Sequence, residues 1–200
     1  MKILMKIPKS ITLIFWMTVL TGMVYPLAVT GVAEALFPRQ ANGSLIVIRG
    51  EVKGSYLLAQ KFESDRFFHP RPSATGYAYI ASGASNLAAT NSALAKEAQD
   101  NRNAWIKAEG RPPAGAEVPP EMLYSSASGL DPDISLKAAL GQVDRVAKAR
   151  GFSAGQKASL IEAVDDAARR ATTLIGPPRV NVVELNSRLE TDPGFVAAAK

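Results

Sequence analysis

Between Ser10 and Ala33 the chain runs for 24 residues, SITLIFWMTVLTGMVYPLAVTGVA, without one charged side chain. Wound as an α-helix at about 1.5 Å per residue, this stretch reaches roughly 36 Å, against roughly 30 Å of bilayer hydrocarbon. Its length predicts a transmembrane helix over residues 10–36. Lys2, Lys6 and Lys9 precede it, and Glu34 and Arg39 follow it. Short basic flanks are retained in the cytoplasm. The expected topology is therefore a cytoplasmic basic tail (1–9), one crossing of the inner membrane, and a periplasmic domain (37–200). The competing reading is a cleaved secretion signal ending at Ala33-Glu34-Ala35. Such signals carry an apolar core of about 7–15 residues, and this run far exceeds it, which favours the anchor.

Pro26 falls in the outer half of the span, where its missing N–H frees a backbone carbonyl and can kink the helix. In lipid such a group needs a partner, and Gly22, Gly31, Ala28 and Ala33 provide small surfaces for a neighbouring helix. Single glycines and a proline are also ordinary constituents of membrane helices, and both readings stand at this level.

The formal net charge of +5 suggests a nucleic-acid partner until it is mapped. Three of the lysines lie in the first nine residues, while all 18 acidic residues lie from Glu34 onward, so residues 34–200 carry 20 basic against 18 acidic groups. A nucleic-acid binder gathers basic charge on a folded face; here the excess sits in a tail, so no nucleic acid is expected. Cysteine is absent, which removes disulfides, thiolate nucleophiles and Cys-based zinc sites together.

Beyond the span, the chain reads as a single α+β domain. FPRQANGS (37–44) is turn chemistry, with Pro38 stopping the helix and Gly43 supplying a positive φ. LIVIRGEV and SYLLAQKF predict a strand or two between Leu45 and Phe62. Residues 67–91 are rich in Pro, Gly and Ser without a clear period, and long irregular loops of this kind are functional or linker-like. Phe67, Phe68, Tyr77 and Tyr79 would be badly placed in water, so the loop is expected to pack.

A helix is expected from Ser92 to Ala108, with Thr90 or Asn91 as cap and Leu94, Ala98, Trp105 and Ile106 on one face, ending at Gly110, Pro112, Pro113 and Gly115. The spacer RPPAGAEVPPE is not read as a domain boundary, since neither flanking block is large enough to close a core. A second helix carries Leu136, Leu140, Val143 and Ala147, with Arg145, Lys148 and Arg150 towards its end and Gly151 as its stop. Ser153 and Gln156 form a capping box for a third, through Leu160, Ile161, Val164 and Ala168 to about Thr173. RVNVVEL reads as a strand and LNSRLE as a last turn or short helix.

Asp131 and Asp133 in SASGLDPDISLKAAL invite a metal or acid-pair reading. Two neighbouring carboxylates are too few for a metal, and the calcium-loop pattern is absent. Asp131, Asp133 and Ser135 are each good N-cap residues, and Pro132 suits a first helical position, so helix initiation is the preferred explanation. The one histidine is His69. No G-x-S-x-G or S-x-x-K occurs, nor any nucleotide-binding glycine motif. Arg71, stiffened between Pro70 and Pro72, is a candidate contact for a carboxylate or phosphate, or a guanidinium bonding loop carbonyls. A membrane-anchored external serine hydrolase stays as the alternative class, with Ser73, Ser82, Ser85 and Ser126 as the hydroxyls to replace in turn.

VYPLAVTGVAEALFPRQANGS, GSYLLAQKF, FFHPRPSA, SGASNLAATN, SASGLDPDIS, QVDRVAKARG and PRVNVVELN occur in the order found in the C subunit of the bacterial potassium-translocating Kdp P-type ATPase, and the chain resembles that family from about Tyr25 to Leu189. Val24 stands where the family pattern has glycine, and Asp133 where it has histidine. The resemblance implies a non-enzymatic accessory subunit of a potassium import complex. Its implied partners are a channel-like K⁺-binding subunit and a catalytic P-type ATPase subunit, with K⁺ as the transported ion. It further implies a catalytic-chaperone role that raises the affinity of the pump for ATP. Arg71, Ser73 and Asn86 are the residues available for nucleotide contact, although cytoplasmic ATP and an external domain lie on opposite sides of the membrane. Gly22, Pro26, Gly31, Phe67, Phe68, Arg71, Tyr77 and Tyr79 are the expected partner contacts.

Overall fold

A computed structural model describes residues 7–112, 116–171 and 176–196. The chain divides into two compact units, Met1–Leu45 and Ile46–Lys200. In the first, α1 (Ile7–Val19), a π-helical turn (Leu20–Val24) and α2 (Tyr25–Leu36) follow one another without a break. Together Pro8–Leu36 make 29 residues, long and apolar enough to cross a membrane and with none buried. Lys9 is exposed at its start; Lys2 and Lys6 lie outside the described residues.

Pro26 does not interrupt this rod. In a regular α-helix its ring would strike the carbonyl four residues back, that of Gly22. Instead the preceding turn holds one residue more, and the N–H of Tyr25 reaches back to the carbonyl of Leu20, the register shift of a π-bulge. After Leu36 the backbone leaves the helical region at Phe37, Pro38 opens a short helical turn, α3 (Pro38–Ala41), and Gly43 reverses the chain at a φ of +81°. The turn expected over FPRQANGS is present.

The second unit opens on a hairpin of β1 (Leu45–Ile48) and β2 (Glu51–Ser55). Its two-residue turn, Arg49-Gly50, takes φ values of +54° and +82°, the sign that a type I′ hairpin turn requires at both positions. The second apolar run, SYLLAQKF, is not a strand. Ser55 closes a turn on Leu57 and Leu58, and the N–H of Ala59 then bonds the carbonyl of Leu130 at 2.9 Å. Distant loop groups here take the place of a ladder.

A second small sheet pairs β3 (Asp133–Ser135) with β4 (Arg179–Asn181) in antiparallel register, Ile134 opposite Val180, both buried. Each strand runs directly into a helix and its last residue caps that helix. Ser135 accepts from the N–H of Ala138 to begin α5 (Leu136–Arg150), and Asn181 accepts from the N–H of Glu184 to begin α7 (Val182–Thr191). Two expectations are corrected here. Ser135 alone caps α5, with Asp133 inside the strand and Asp131 before it. RVNVVEL is extended only over its first three residues, because the Asn181 cap and the burial of Val182, Val183 and Leu185 override the β preference of the valines.

α6 (Ala154–Ala171) starts at the expected capping box, the N–H of Ser153 bonding Gln156 Oε1 and the N–H of Gln156 bonding Ser153 Oγ. The expected end at Thr173 lies outside the described residues. Leu160, Ala163, Val164, Ala167 and Ala168 of α6 join Ala138, Ala139, Val143 and Val146 of α5 in one core with Leu185 and Leu189 of α7 and Phe195 of the short α8 (Pro193–Val196). Leu140 and Ile161, placed on the apolar stripes by periodicity, are exposed. In α5 the buried side is instead shared with Gln142, Arg145 and Arg150.

α4 (Ser92–Glu109), capped by Asn91, lays Ala98, Trp105 and Ile106 against this core. Gly141 lets it approach: a Cβ there would stand 3.0 Å from the Trp105 ring. Gly110 ends α4; Pro113 and Gly115 lie outside the described residues. The chain re-enters the core at Val118 and, through a 3₁₀ turn (Pro120–Met122), at Met122.

Leu160 is completely buried between the helices. Replacing it with alanine leaves a cavity and is expected to lower stability by about 2–5 kcal/mol, to be measured as a shift in the urea midpoint of the detergent-solubilised chain with the slope unchanged.

Candidate functional site

The long loop begins with residues 65–69, where a turn closed by the Phe67 N–H on the Ser64 carbonyl leads into irregular chain that belongs to no sheet, so its remaining backbone groups need other partners if they are to be buried. Polar side chains of two helices supply them. From α7, Asn186 accepts from the N–H of Phe68 and donates to its carbonyl, both at 2.8 Å. From α5, Gln142 does the same for His69, at 2.7 and 3.1 Å. Arg145 donates through Nη1 to the carbonyls of Asp65 (2.8 Å) and Phe67 (2.9 Å), through Nη2 to Gln142, and through Nε to Glu109 Oε1 at 2.7 Å. Arg150 donates to the carbonyls of Arg66 and Leu189 and to Glu190, with its guanidinium 5.2 Å from the centre of the Phe67 ring. Phe68 is thereby driven into the core.

These clamps were not legible as such. Periodicity places Gln142 near an apolar face and Arg145 and Arg150 near a helix C-terminus, where basic residues are unremarkable; no local pattern says that the partners of the arginines are backbone groups about 80 positions earlier. Electrostatics follows from the burial. Desolvation pushes the His69 imidazole below its ordinary value of 6.5, with the Arg145 charge acting in the same direction and a bond to the Ser64 carbonyl opposing both. Desolvation raises Glu109 despite its ion pair with Arg145.

Beyond the clamps, the loop folds onto residues 126–132. The N–H of Ser126 bonds the carbonyl of Pro72 at 3.0 Å, and the carbonyl of Ser128 accepts from the N–H of Gly83 (2.9 Å) and from Ser82 Oγ (2.7 Å). Arg71 Nη1 meets Asp131 Oδ2 at 3.0 Å, while the other carboxylate oxygen accepts from the N–H of Asp133. Asp131 is thus an anchor for the loop arginine. Asp133 is raised by burial first and by Asp131 second, against Arg179 and Asn181. Among the described residues no group of three or more His, Cys, Asp and Glu is placed to hold a metal.

Gly129 sits at the centre of this junction with a φ of +69°; a Cβ there would lie 2.8 Å from Thr75 Oγ1 and 2.9 Å from the carbonyl oxygen of Gly83. The two blocks RPSA and SGLDP therefore meet face to face.

Of the nucleotide-contact candidates, Arg71 is engaged by Asp131, with its Nε buried and unpartnered. Ser73 Oγ accepts from the N–H groups of Thr75 and Tyr77, while the Tyr77 hydroxyl donates to the Arg71 carbonyl at 2.8 Å. Burial pushes that phenol up to about 12. Asn86 is exposed, and its amide bonds only the nearby Ala84 carbonyl. The structure joins Arg71 to Ser73 through Tyr77 but does not bring Asn86 to them. The His69 ring faces the Ser64 carbonyl at 3.3 Å, and the hydroxyls of Ser73 and Ser82 serve backbone groups.

A recess of about 440 Å³ opens beside the Arg71–Asp131 pair, walled by Leu57, Leu58, Ala127, Leu130 and Pro132. Leu57 and Tyr79 are well exposed on the surface, and Ile80 is fully so. The loop as a whole packs, as its aromatics require, but Tyr79 is an exception to that expectation.

A family model described as K⁺-transporting ATPase, c chain (KdpC) matches residues 7–191, a span that contains the clamps, the loop and the helical rod. The chain belongs to the KdpC family. Proteins named potassium-transporting ATPase KdpC subunit are similar over most of their length. The one from Pseudomonas entomophila is 48% identical, covering 90% of this chain and 92% of that protein. Those from Rhodopseudomonas palustris and Leptospira interrogans are 44% and 40% identical, covering 94% of this chain and 98% and 94% of those proteins. As a KdpC family member, the chain makes its most specific sequence blocks into one loop-on-loop junction and leaves Leu57, Tyr79 and Ile80 exposed.

Two outcomes are expected. Gly129→Ala forces a side chain into a left-handed position, at about 1–2 kcal/mol, and against the Gly83 carbonyl besides; it should open the loop to protease between residues 76 and 86. The depressed His69 pKa means that folding excludes a proton the unfolded chain accepts. Its contribution is complete above pH 6.5 and falls away as pH drops from there through the folded value. His69→Gln, which keeps a donor for the Ser64 carbonyl, should flatten that part of the stability–pH curve measured by denaturation at successive pH values.

Proposed function

We propose that this chain is a non-catalytic accessory subunit of an ATP-driven potassium importer, held by α1–α2 in the inner membrane with its N-terminus in the cytoplasm and residues 37–200 in the periplasm. The family membership carries the reading: the curated relatives are named as subunits of potassium-transporting ATPases. Its partners are then a channel-like K⁺-binding subunit and the subunit that hydrolyses ATP.

The junction supports docking over chemistry. The side chains of His69, Ser73 and Ser82, which a hydrolase would align, are turned to separate backbone groups. The exposed side chains of Leu57, Tyr79 and Ile80 offer apolar contact. Phe68 in the core, Phe67 against Arg150 and the Tyr77 hydroxyl on the Arg71 carbonyl fix the first part of the loop that carries Tyr79 and Ile80. An influence on the ATP affinity of the pump is exerted mechanically in this reading. A bound subunit shifts the pump between states only through contacts that differ between them, and no nucleotide needs to touch Arg71, Ser73 or Asn86.

An affinity-tagged copy should retain the other subunits when pulled from solubilised membranes and lose them when residues 1–36 are removed, while a reporter fused after Lys200 should be active only outside the cytoplasm. Recovery of the intact chain alone, or a cytoplasmic reporter signal, contradicts the proposal.

A further inference from the structure

Hydrogen-bond accounting across the π turn leaves the helical rod short of donors at one depth. The N–H of Tyr25 is bonded to the carbonyl of Leu20. α2 has Val24 as its N-cap, the residue whose carbonyl accepts the first bond of the helix. Between these two lie the carbonyls of Thr21, Gly22 and Met23. The residues that would serve them are Pro26, which has no N–H, and Leu27, which has one. Two of the three carbonyls are left over. Thr21 is necessarily one, because its α-register donor is Tyr25, already engaged, and its π-register donor is Pro26.

Side chains of the helix do not make up the difference. The hydroxyls of Thr12, Thr18 and Thr21 donate to the carbonyls four residues before them, at 2.8, 2.9 and 2.7 Å. Apart from the helix's own neighbouring backbone, nothing lies within 4 Å of the position a Cβ would take on Gly22, so the rod is open to close approach at that residue. Gly22 is also the midpoint of Pro8–Leu36, where water is scarcest in a spanning helix and an unbonded carbonyl is most unfavourable.

We propose that this π turn is a docking notch for a transmembrane helix of another subunit, one that places a side-chain N–H or O–H donor, such as an amide or a hydroxyl, against the Thr21–Gly22 carbonyls at the bilayer midplane. The inference rests on the reading of the chain as a membrane-spanning member of an assembly. A second copy is the wrong occupant. In a parallel pair it would bring the same surplus carbonyls to the same depth, with its Thr21 hydroxyl already donated to Met17. Gly22 admits the close backbone approach that such a bond needs.

The Thr21 carbonyl can be observed in the intact molecule. With threonine carrying ¹³C at the carbonyl and glycine carrying ¹⁵N, only Thr21-Gly22, Thr30-Gly31 and Thr75-Gly76 give directly bonded ¹³C–¹⁵N pairs. Solid-state NMR is recorded on the chain alone in lipid bilayers and on the assembled complex in the same lipid. A downfield move of the Thr21 carbon on assembly, with Thr30 and Thr75 unmoved, is the expected result. An assembled complex whose Thr21 signal coincides with that of the isolated chain overturns the inference while leaving the subunit reading intact. A concentrated sample of the chain alone that reproduces the shift overturns the choice of occupant. Failure to recover any other subunit removes the subunit reading itself, and this inference with it. In the same preparations Gly22→Leu should lose most of the co-purified subunits and Leu20→Met, on the opposite side of the rod at the same depth, should keep them; equal recovery from both also overturns it.

Discussion

The fold depends on satisfying backbone groups in a segment that has no ladder. Residues 65–69 pass from a turn into irregular chain against the core, and the cost of burying their N–H and carbonyl groups unpaired would be comparable to losing as many hydrogen bonds. Asn186 and Gln142 each grip one residue by both its backbone groups, while Arg145 and Arg150 reach the carbonyls of the others. This arrangement explains polar residues on the buried sides of α5 and α7. It also explains how a loop of little regular structure can present a defined surface: its root is held by two rigid helices, and its middle by Arg71, Gly83 and Ser126 on the 126–132 segment.

The same requirement reappears in the membrane-length rod with the opposite outcome. In the second unit, side chains from other elements answer every backbone group of Phe68 and His69. Around Pro26 the rod has no such neighbours of its own, and the π turn relocates the deficit without removing it. A rod short of donors at one depth is built to be finished by something else. That agrees with membership of a family whose relatives are named as subunits.

Much of the local structure was legible because it is written in short-range chemistry. The capping box at Ser153 and Gln156, the Asn91 cap and the stop at Gly151 are interactions within a turn of helix, and the residues that make them are the residues that predict them. Errors arose where distant groups decided. SYLLAQKF has strand composition, but Leu130 takes the Ala59 N–H. The valines after Asn181 favour a strand until the cap and the core claim them. Asp131 looks like helix punctuation, yet it answers Arg71, 60 positions earlier. Leu140 fits a stripe that Gln142 and Arg150 displace, because a buried amide and guanidinium with satisfied hydrogen bonds can occupy a face that hydrophobicity alone assigns to leucine.

By itself, then, the sequence determined that one uncharged run is long enough to cross a bilayer, that the remainder is an α+β domain, and that its motif order belongs to one family. Those properties follow from apolar length, periodicity and capping, which are local and additive along the chain. Only the tertiary structure decided that RPSA and SGLDP form one junction, that His69 and Phe68 are held by amides from different helices, and that Pro26 leaves a two-carbonyl deficit at mid-span. Each depends on which donor reaches which acceptor, and that is a matter of three-dimensional position that no window of sequence contains.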